Sequence, residues 1–383
     1  MVLRNGLPVF QYLYSDIDPV ARQVAQHRLA LLQARYPGLL PASALEHTFS
    51  ALPQDVWQVT TEQLALLSQR WPRQWLVVGG WECQDLSPAG ASRGLTGSRS
   101  STLAPLVKIL ADLQQLQQHL PPAYLVENVA MQHNPAQHIR EQFGIISKSL
   151  GQPVCLDATQ FNSLAHRVRN YWTNLCSQQQ LESAARQVQR TPGLTVQSVI
   201  SPAASRFAAP VQQQDSSRAG RYPANFVGQP RSAWPTLMAY KGSRAFKEGQ
   251  PGAILDSAGN RVDEPTAAER EAAMGYTPGD TQAPGVSEQQ RREILGRCIE
   301  AHVLQAIMAI AAAWYRQDCW RPGKQQQFLA ASDIELPRSK QAGSWVAAAL
   351  AATTECVAFG QRVACLWSKS GLKPDLGLAF WWK

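Results

Sequence analysis

A cysteine that follows directly on a buried strand can reach a bound ligand, and this sequence contains one. In Trp75-Leu76-Val77-Val78-Gly79-Gly80-Trp81-Glu82-Cys83-Gln84-Asp85-Leu86-Ser87 a short apolar run ends at two glycines. That is the pattern of a strand covered on both faces in a parallel sheet. In open α/β sheets ligands bind in the crevice beyond the carboxyl ends of the strands, so Cys83 stands where a nucleophile would be useful. Most lone cysteines are small buried hydrophobes; a nucleophile needs an acid and a cation brought to it. Ala123-Tyr124-Leu125-Val126-Glu127-Asn128-Val129 reads as a second short strand, ending in a carboxylate and an amide. Residues 153–158 read as another, followed by Ala165-His166-Arg167-Val168-Arg169-Asn170-Tyr171-Trp172. In extended backbone Arg167 and Arg169 would face the same side.

The elements that must position these residues alternate between strand and helix. Residues 8–18 predict a strand ending in Asp16 and Asp18, and Pro19 opens a helix over 19–36. A carboxylate at the end of the second strand of a nucleotide-binding sheet accepts hydrogen bonds from ribose hydroxyls; the alternative is that these aspartates cap the helix. Residues 92–101, rich in Gly, Ser and Arg, predict a mobile loop, and 103–119 predict a helix. From 176 to 262 the periodicity fades into Gln, Ser, Pro and Gly, with basic and aromatic residues interspersed: a groove-docking region or a basic linker. A single helix is expected over 287–313, capped by Ser287, and a short one over 346–352.

The chain has 383 residues, is 45% hydrophobic and 17% charged, and carries a formal charge of +8. That suits a globular protein with a polyanionic partner, though charge alone discriminates poorly. Seven cysteines form no CxxC pair and no Cys/His ligand spacing, which argues for free thiols in a reducing compartment and against a structural zinc site. No apolar run is long enough to cross a bilayer. The expectation is an intracellular protein.

Three of these stretches, in this order, resemble a known family: Cys-Gln-Asp-Leu-Ser after a Gly-Gly strand, Glu-Asn-Val, and His-Arg-x-Arg before an aromatic pair. They are similar to blocks of the DNA cytosine-5 methyltransferases, nearest to the de novo eukaryotic branch and relatives carried by mobile elements. The likeness continues through residues 264–276 and 291–297. It implies a Rossmann-like α/β sheet with helices on both faces, S-adenosylmethionine as methyl donor, DNA as partner and a nuclear location. By resemblance Cys83 is the nucleophile, Glu127 and Arg169 hold the target base, and Arg167 assists them. Asp16 would meet the ribose, Glu46 the adenine, and Gly296 and Arg297 would complete the donor site. Arg93, Ser98, Arg99, Arg231, Lys241 and Arg244 would contact nucleic acid.

The implied organisation is a catalytic region over 1–175, target recognition over 176–262, a return to the catalytic domain over 263–318, and an extension of unknown role over 319–383. Two departures stand out. Glu82 occupies the place of the proline that usually precedes the cysteine. The Phe-x-Gly-x-Gly strand and loop that opens the family is found at neither end of the chain, so either the sequence is truncated or part of the donor site has been lost. Two alternatives to a DNA methyltransferase follow: an impaired relative that binds DNA without methylating it, and an enzyme using the same chemistry on a structured RNA such as tRNA.

Overall fold

The computed structural model describes residues 1–87, 90, 92–97, 100–201, 206–212, 216–217, 220–221, 228–239, 243–316 and 376–381. The helix expected over 346–352 lies outside them. A six-stranded sheet organises the molecule. Its strands are β1 (Val9–Ser15), β2 (Gln74–Gly80), β3 (Ala123–Val129), β4 (Val154–Asp157), β5 (Val168–Thr173) and, last in the chain, β11 (Leu376–Trp381). The order across the sheet is β1-β11-β2-β3-β5-β4. β1, β11, β2 and β3 run parallel, whereas β5 runs antiparallel to both β3 and β4.

The continuous apolar runs are explained by cover on both faces. Trp75 and Val77 of β2, with Tyr124 and Val126 of β3, pack on one side among Leu106, Ile109, Leu110 and Ile146. Those residues come from α3 (Leu103–Leu116) and α4 (Gln137–Leu150), and α2 (Thr61–Arg70) adds Leu64 and Leu67. The alternate residues Leu76, Val78, Ala123 and Leu125 face the other side. There they meet Val303, Ile307 and Met308 of α8 (Ala301–Arg316) and Leu181 of α5 (Gln178–Gln187). Each such buried aliphatic side chain contributes roughly 1.5–3 kcal/mol relative to exposure. α1 (Pro19–Arg35) starts where expected, with Asp18 accepting from the amides of Val20 and Ala21.

The region after 176 packs around the fully buried Trp234, with Val196, Ile200, Leu237, Phe246 and Ile254, in a core it shares with Leu164, Ala267, Ala273 and Leu295. It carries a small sheet of β6 (Phe207–Ala208), β9 (Ile254–Leu255) and β10 (Arg261–Asp263), and a hairpin of β7 (Ser216–Ser217) and β8 (Gly220–Arg221). Trp234 exchanges hydrogen bonds with the backbone of Leu164 and His166, both at 2.8 Å, which straps this region to the segment leading into β5. α6 (Ala267–Ala273) packs on α7 (Glu288–Arg297).

The single helix expected over 287–313 is two. α7 ends at Arg297, Cys298 is extended, and α8 departs at 48°. The break is held open by outside partners: Arg167 donates to the carbonyls of Gly296 and Cys298, and the Tyr276 hydroxyl donates to that of Ile299. Glu300 then caps α8 by accepting from the Val303 amide at 2.9 Å. Among the described residues no single helix is long and apolar enough to cross a membrane.

Candidate active site

β2 and β3 pair in parallel with Gly80 opposite Glu127, which brings the Cys83 loop and the end of β3 to the same edge of the sheet. That loop is fixed on several sides. Asn128 donates to the Trp81 carbonyl at 2.8 Å, Ser100 to that of Glu82 at 3.1 Å, and the amides of Leu86 and Ser87 to that of Cys83 at 3.0 and 2.8 Å. Trp81 is itself buried against Trp172, ring centroids 5.4 Å apart. Cys83 is half-buried and packs against the core that contains Trp81, while its backbone is held.

The acid and the cation meet. Glu127 is fully buried, and its Oε1 lies 2.8 Å from Nε of Arg169. The strand register produces this contact. In the antiparallel β3–β5 pair Glu127 stands opposite Tyr171 and Val129 opposite Arg169. Glu127 and Arg169 are therefore diagonal neighbours on one face, a separation long side chains can bridge. Burial opposes the charge of Arg169 most, Arg167 adds repulsion, and the net shift is downward although Glu127 and Cys83 act the other way. Cys83 is thus within electrostatic reach of the guanidinium.

Arg167 differs from expectation. It shares the field of Glu127 and Cys83, and despite the cost of burial the net shift of its pKa is upward. Its guanidinium, however, donates to Gly296 O at 3.2 Å and Cys298 O at 2.6 Å. Its place is that of a brace between the start of β5 and the α7–α8 break. Neighbouring Asp157 accepts from the Arg167 amide at 3.0 Å and pairs with His166 at 2.8 Å. Its carboxyl is held below the ordinary range, these contacts outweighing the effect of burial.

Of the other described cysteines, burial pushes Cys298 up to about 11 and Cys176 up to about 12. Neither supplies thiolate near neutrality. Cys155 lies 4.0 Å from the His133 ring.

Asp16 ends β1 at the same edge of the sheet. It accepts from the Asp18 amide at 2.8 Å and from the Tyr14 hydroxyl at 3.3 Å. Burial raises its pKa to about 6, against the Asp18 amide and Arg297, which favour the anion. A buried carboxylate on a strand end is a fitting acceptor for ribose hydroxyls, so the residues suit a nucleoside-bearing donor. Arg297 belongs to this corner, donating to Asp18 at 2.6 Å. Gly296 does not: it presses on the backbone of Met238 and Ala239, and a Cβ there would come within 2.2 Å of the Ala239 nitrogen. Glu46 is exposed after the turn Ala42–Leu45.

A further carboxylate, Asp55, follows a segment tied to the end of β1. The Ser15 hydroxyl donates to the carbonyls of Pro53 and Gln54, at 2.6 and 3.1 Å, which brings Asp55 beside the end of β1. Its helix-capping position before Val56, where it accepts from the Trp57 amide at 3.0 Å, was the available signal.

The residues expected to touch nucleic acid fare unequally. Arg93 and Arg244 are exposed. Arg231 is buried and donates to the carbonyls of Ala209 and Pro210 at 2.8 and 2.7 Å, so it braces the small domain and presents no free charge. Ser98, Arg99 and Lys241 lie outside the described residues. The loop after Cys83, expected to be mobile, is pinned where described. Gly94 adopts φ +70°, Leu95 is buried, and its amide donates to Gln142 at 2.7 Å.

A mixed, mostly parallel Rossmann-like sheet with helices on both faces is the fold of a methyltransferase. It superposes on the Dnmt2 methyltransferase of S. pombe with a TM-score of 0.50 and 15% identity, over 82% of this chain and 94% of that one. A methyltransferase of Entamoeba histolytica, EhMeth, aligns at 0.46 and 11% identity over 81% of this chain and 90% of its own. In sequence the chain is 30% identical over 119 residues to the Type II methyltransferase M2.BsuMI of Bacillus subtilis. The match spans 30% of this chain and about a quarter, 23%, of that protein. No family model matches. Fold and sequence match point the same way: the chain has a methyltransferase fold and is similar over part of its length to a Type II methyltransferase, a class that uses S-adenosylmethionine as methyl donor.

Proposed function

We propose that the chain methylates carbon 5 of cytosine in DNA. The observation that carries this reading is the buried Glu127–Arg169 pair at 2.8 Å, beside a half-buried cysteine on an anchored loop. Carbon 5 of cytosine is a poor nucleophile until something adds at carbon 6. The thiolate of Cys83 adds there, and the pyrimidine becomes an enamine whose carbon 5 can attack. This is covalent catalysis by splitting one hard step into easier ones. Glu127 hydrogen-bonds ring nitrogen 3 and the exocyclic amine as charge develops, and Arg169 steadies oxygen 2. S-adenosylmethionine supplies the electrophilic methyl group. Loss of the carbon 5 proton and expulsion of the thiolate then restore the ring.

Both carbons lie inside the stack of a duplex, so the base must be turned out into the pocket. Exposed Arg93 and Arg244 suit phosphate contacts, which give affinity without sequence information. The test is transfer of labelled methyl groups to duplex DNA and, in parallel, to tRNA. Label in DNA as 5-methylcytosine is expected; label confined to tRNA would move the same chemistry to RNA, and none in either would leave a binding protein.

A further inference from the structure

We infer that β11, the last of the described strands, forms the floor of the methyl-donor site. β1 and β2 do not pair with each other; β11 lies between them and is parallel to both. Neighbouring strands stand about 4.8 Å apart, so without β11 a gap one strand wide would separate β1 from β2. The register is regular on both sides. Leu378 pairs with Tyr12 and Leu76, Ala379 with Leu13 and Val77, and Phe380 with Tyr14 and Val78. Trp381 pairs with Ser15, so the carboxyl end of β11 comes to the edge beside Asp16. On its other side that end adjoins the strand that runs on into Gly79-Gly80 and the Cys83 loop.

Ligands of open α/β sheets bind beyond the carboxyl ends of the strands. The end of β11 is therefore interposed between the candidate ribose acid and the candidate nucleophile, the interval a donor must span to offer its methyl group near Cys83. The segment before β1 supplies no strand there: it folds as the turn Leu3–Asn5 and enters β1 directly. The strand at the middle of the donor crevice is thus supplied by residues 376–381, which follow the other five strands of this sheet in sequence. The extension for which the sequence suggested no role, and no permuted motif, contains it. Asp375-Leu376-Gly377-Leu378-Ala379-Phe380-Trp381 is a short apolar run of the kind that fills a strand covered on both faces.

The identity of the ligand rests on the function proposed above; the place of the strand does not. The full chain is tested by hydrogen exchange read by mass spectrometry, with and without S-adenosylmethionine. Amides of residues 376–381 are expected to be protected at least a hundredfold over an unstructured peptide, and further protected by S-adenosylmethionine. In a second arm Leu13→Cys is combined with Ala379→Cys. Parallel neighbours lie within disulfide range, so copper-phenanthroline oxidation is expected to give a bridge between positions 13 and 379 within one chain. Free exchange at 376–381, or a bridge found only between two chains, would overturn the assignment. S-adenosylmethionine that binds while leaving exchange at 376–381 unchanged would overturn it too, and leave the proposed function standing. Protection of β11 by the donor in a chain that methylates neither DNA nor tRNA would support it and remove that function instead.

Discussion

Glu127 and Arg169 approach to 2.8 Å although neither stands directly opposite the other in the sheet. Their contact is diagonal across β3 and β5, and it depends on β5 being antiparallel. A parallel β5 would carry Arg169 towards the opposite end of Glu127's strand. The reversal of one strand is what converts two separate motifs into a paired acid and cation at the edge where the Cys83 loop emerges.

Removing one member of that pair leaves a buried charge without its partner. Glu127→Gln is expected to cost about 3–5 kcal/mol of stability, the usual penalty for breaking a buried ion pair, and to lower methyl transfer at least a hundredfold. Chemical denaturation and single-turnover transfer check the two halves. Arg169→Lys, which keeps charge but loses the planar fork, is expected to recover stability better than rate.

Asn128 holds the backbone of the loop that carries the proposed nucleophile. Asn128→Ala removes the 2.8 Å hydrogen bond to the Trp81 carbonyl and is expected to cost about 1 kcal/mol of stability. The turnover rate should fall tenfold or more, with S-adenosylmethionine affinity unchanged in equilibrium dialysis.

Donor affinity should depend on pH through Asp16. Its carboxyl titrates at about 6 because it is buried, so it is an anion at pH 7.5 and largely protonated at pH 5. As pH falls through 6 it loses acceptor capacity, and the affinity for S-adenosylmethionine is expected to weaken. The unliganded fold responds oppositely: a raised carboxyl pKa contributes stability at low pH that is lost as pH rises through about 6. Asp18 is held below the ordinary range despite partial burial, by its contacts with Arg297 and the α1 amides, so it stays charged across this window. Asp16→Asn should bind the donor more weakly and with a flatter profile, as titration calorimetry at several pH values would read.

Gly296→Ala places a methyl group 2.2 Å from the Ala239 nitrogen. Backbone on both sides cannot yield easily, and overpacking of this kind costs about 1–3 kcal/mol. A lowered thermal midpoint with an unchanged affinity for S-adenosylmethionine is the expected result, and would set Gly296 apart from the donor site.

Much of the sheet edge that carries the candidate site was legible in the sequence because local signals coincide with global ones there. Apolar runs ending in Gly79-Gly80 and in Glu127-Asn128 are strands buried on both faces, and Pro19 after Asp18 is a helix start. What was not legible depends on partners remote in the chain. Nothing near Gly296 predicts that Arg167 takes its carbonyl and that of Cys298, splitting one apolar helix into two. Nothing near Arg231 foretells burial against Ala209 and Pro210; a basic residue in a polar stretch looks the same whether it faces phosphate or carbonyls. The short run 376–381 carries no glycine loop to announce it, and its slot is defined only by β1 and β2, which lie far earlier in the chain, at Val9–Ser15 and Gln74–Gly80.

The central claim is that the sulfur of Cys83 bonds to a cytosine ring. A duplex carrying 5-fluorocytosine at a methylated site, incubated with the chain and S-adenosylmethionine, should trap that bond. Fluorine cannot leave carbon 5 as a proton does, so the ring cannot be restored. Denaturing mass spectrometry and peptide mapping are expected to show a covalent complex through Cys83, absent in Cys83→Ser although that variant still binds the duplex. A complex through Cys155, or methylation of unmodified DNA by Cys83→Ser at the full rate, would contradict it.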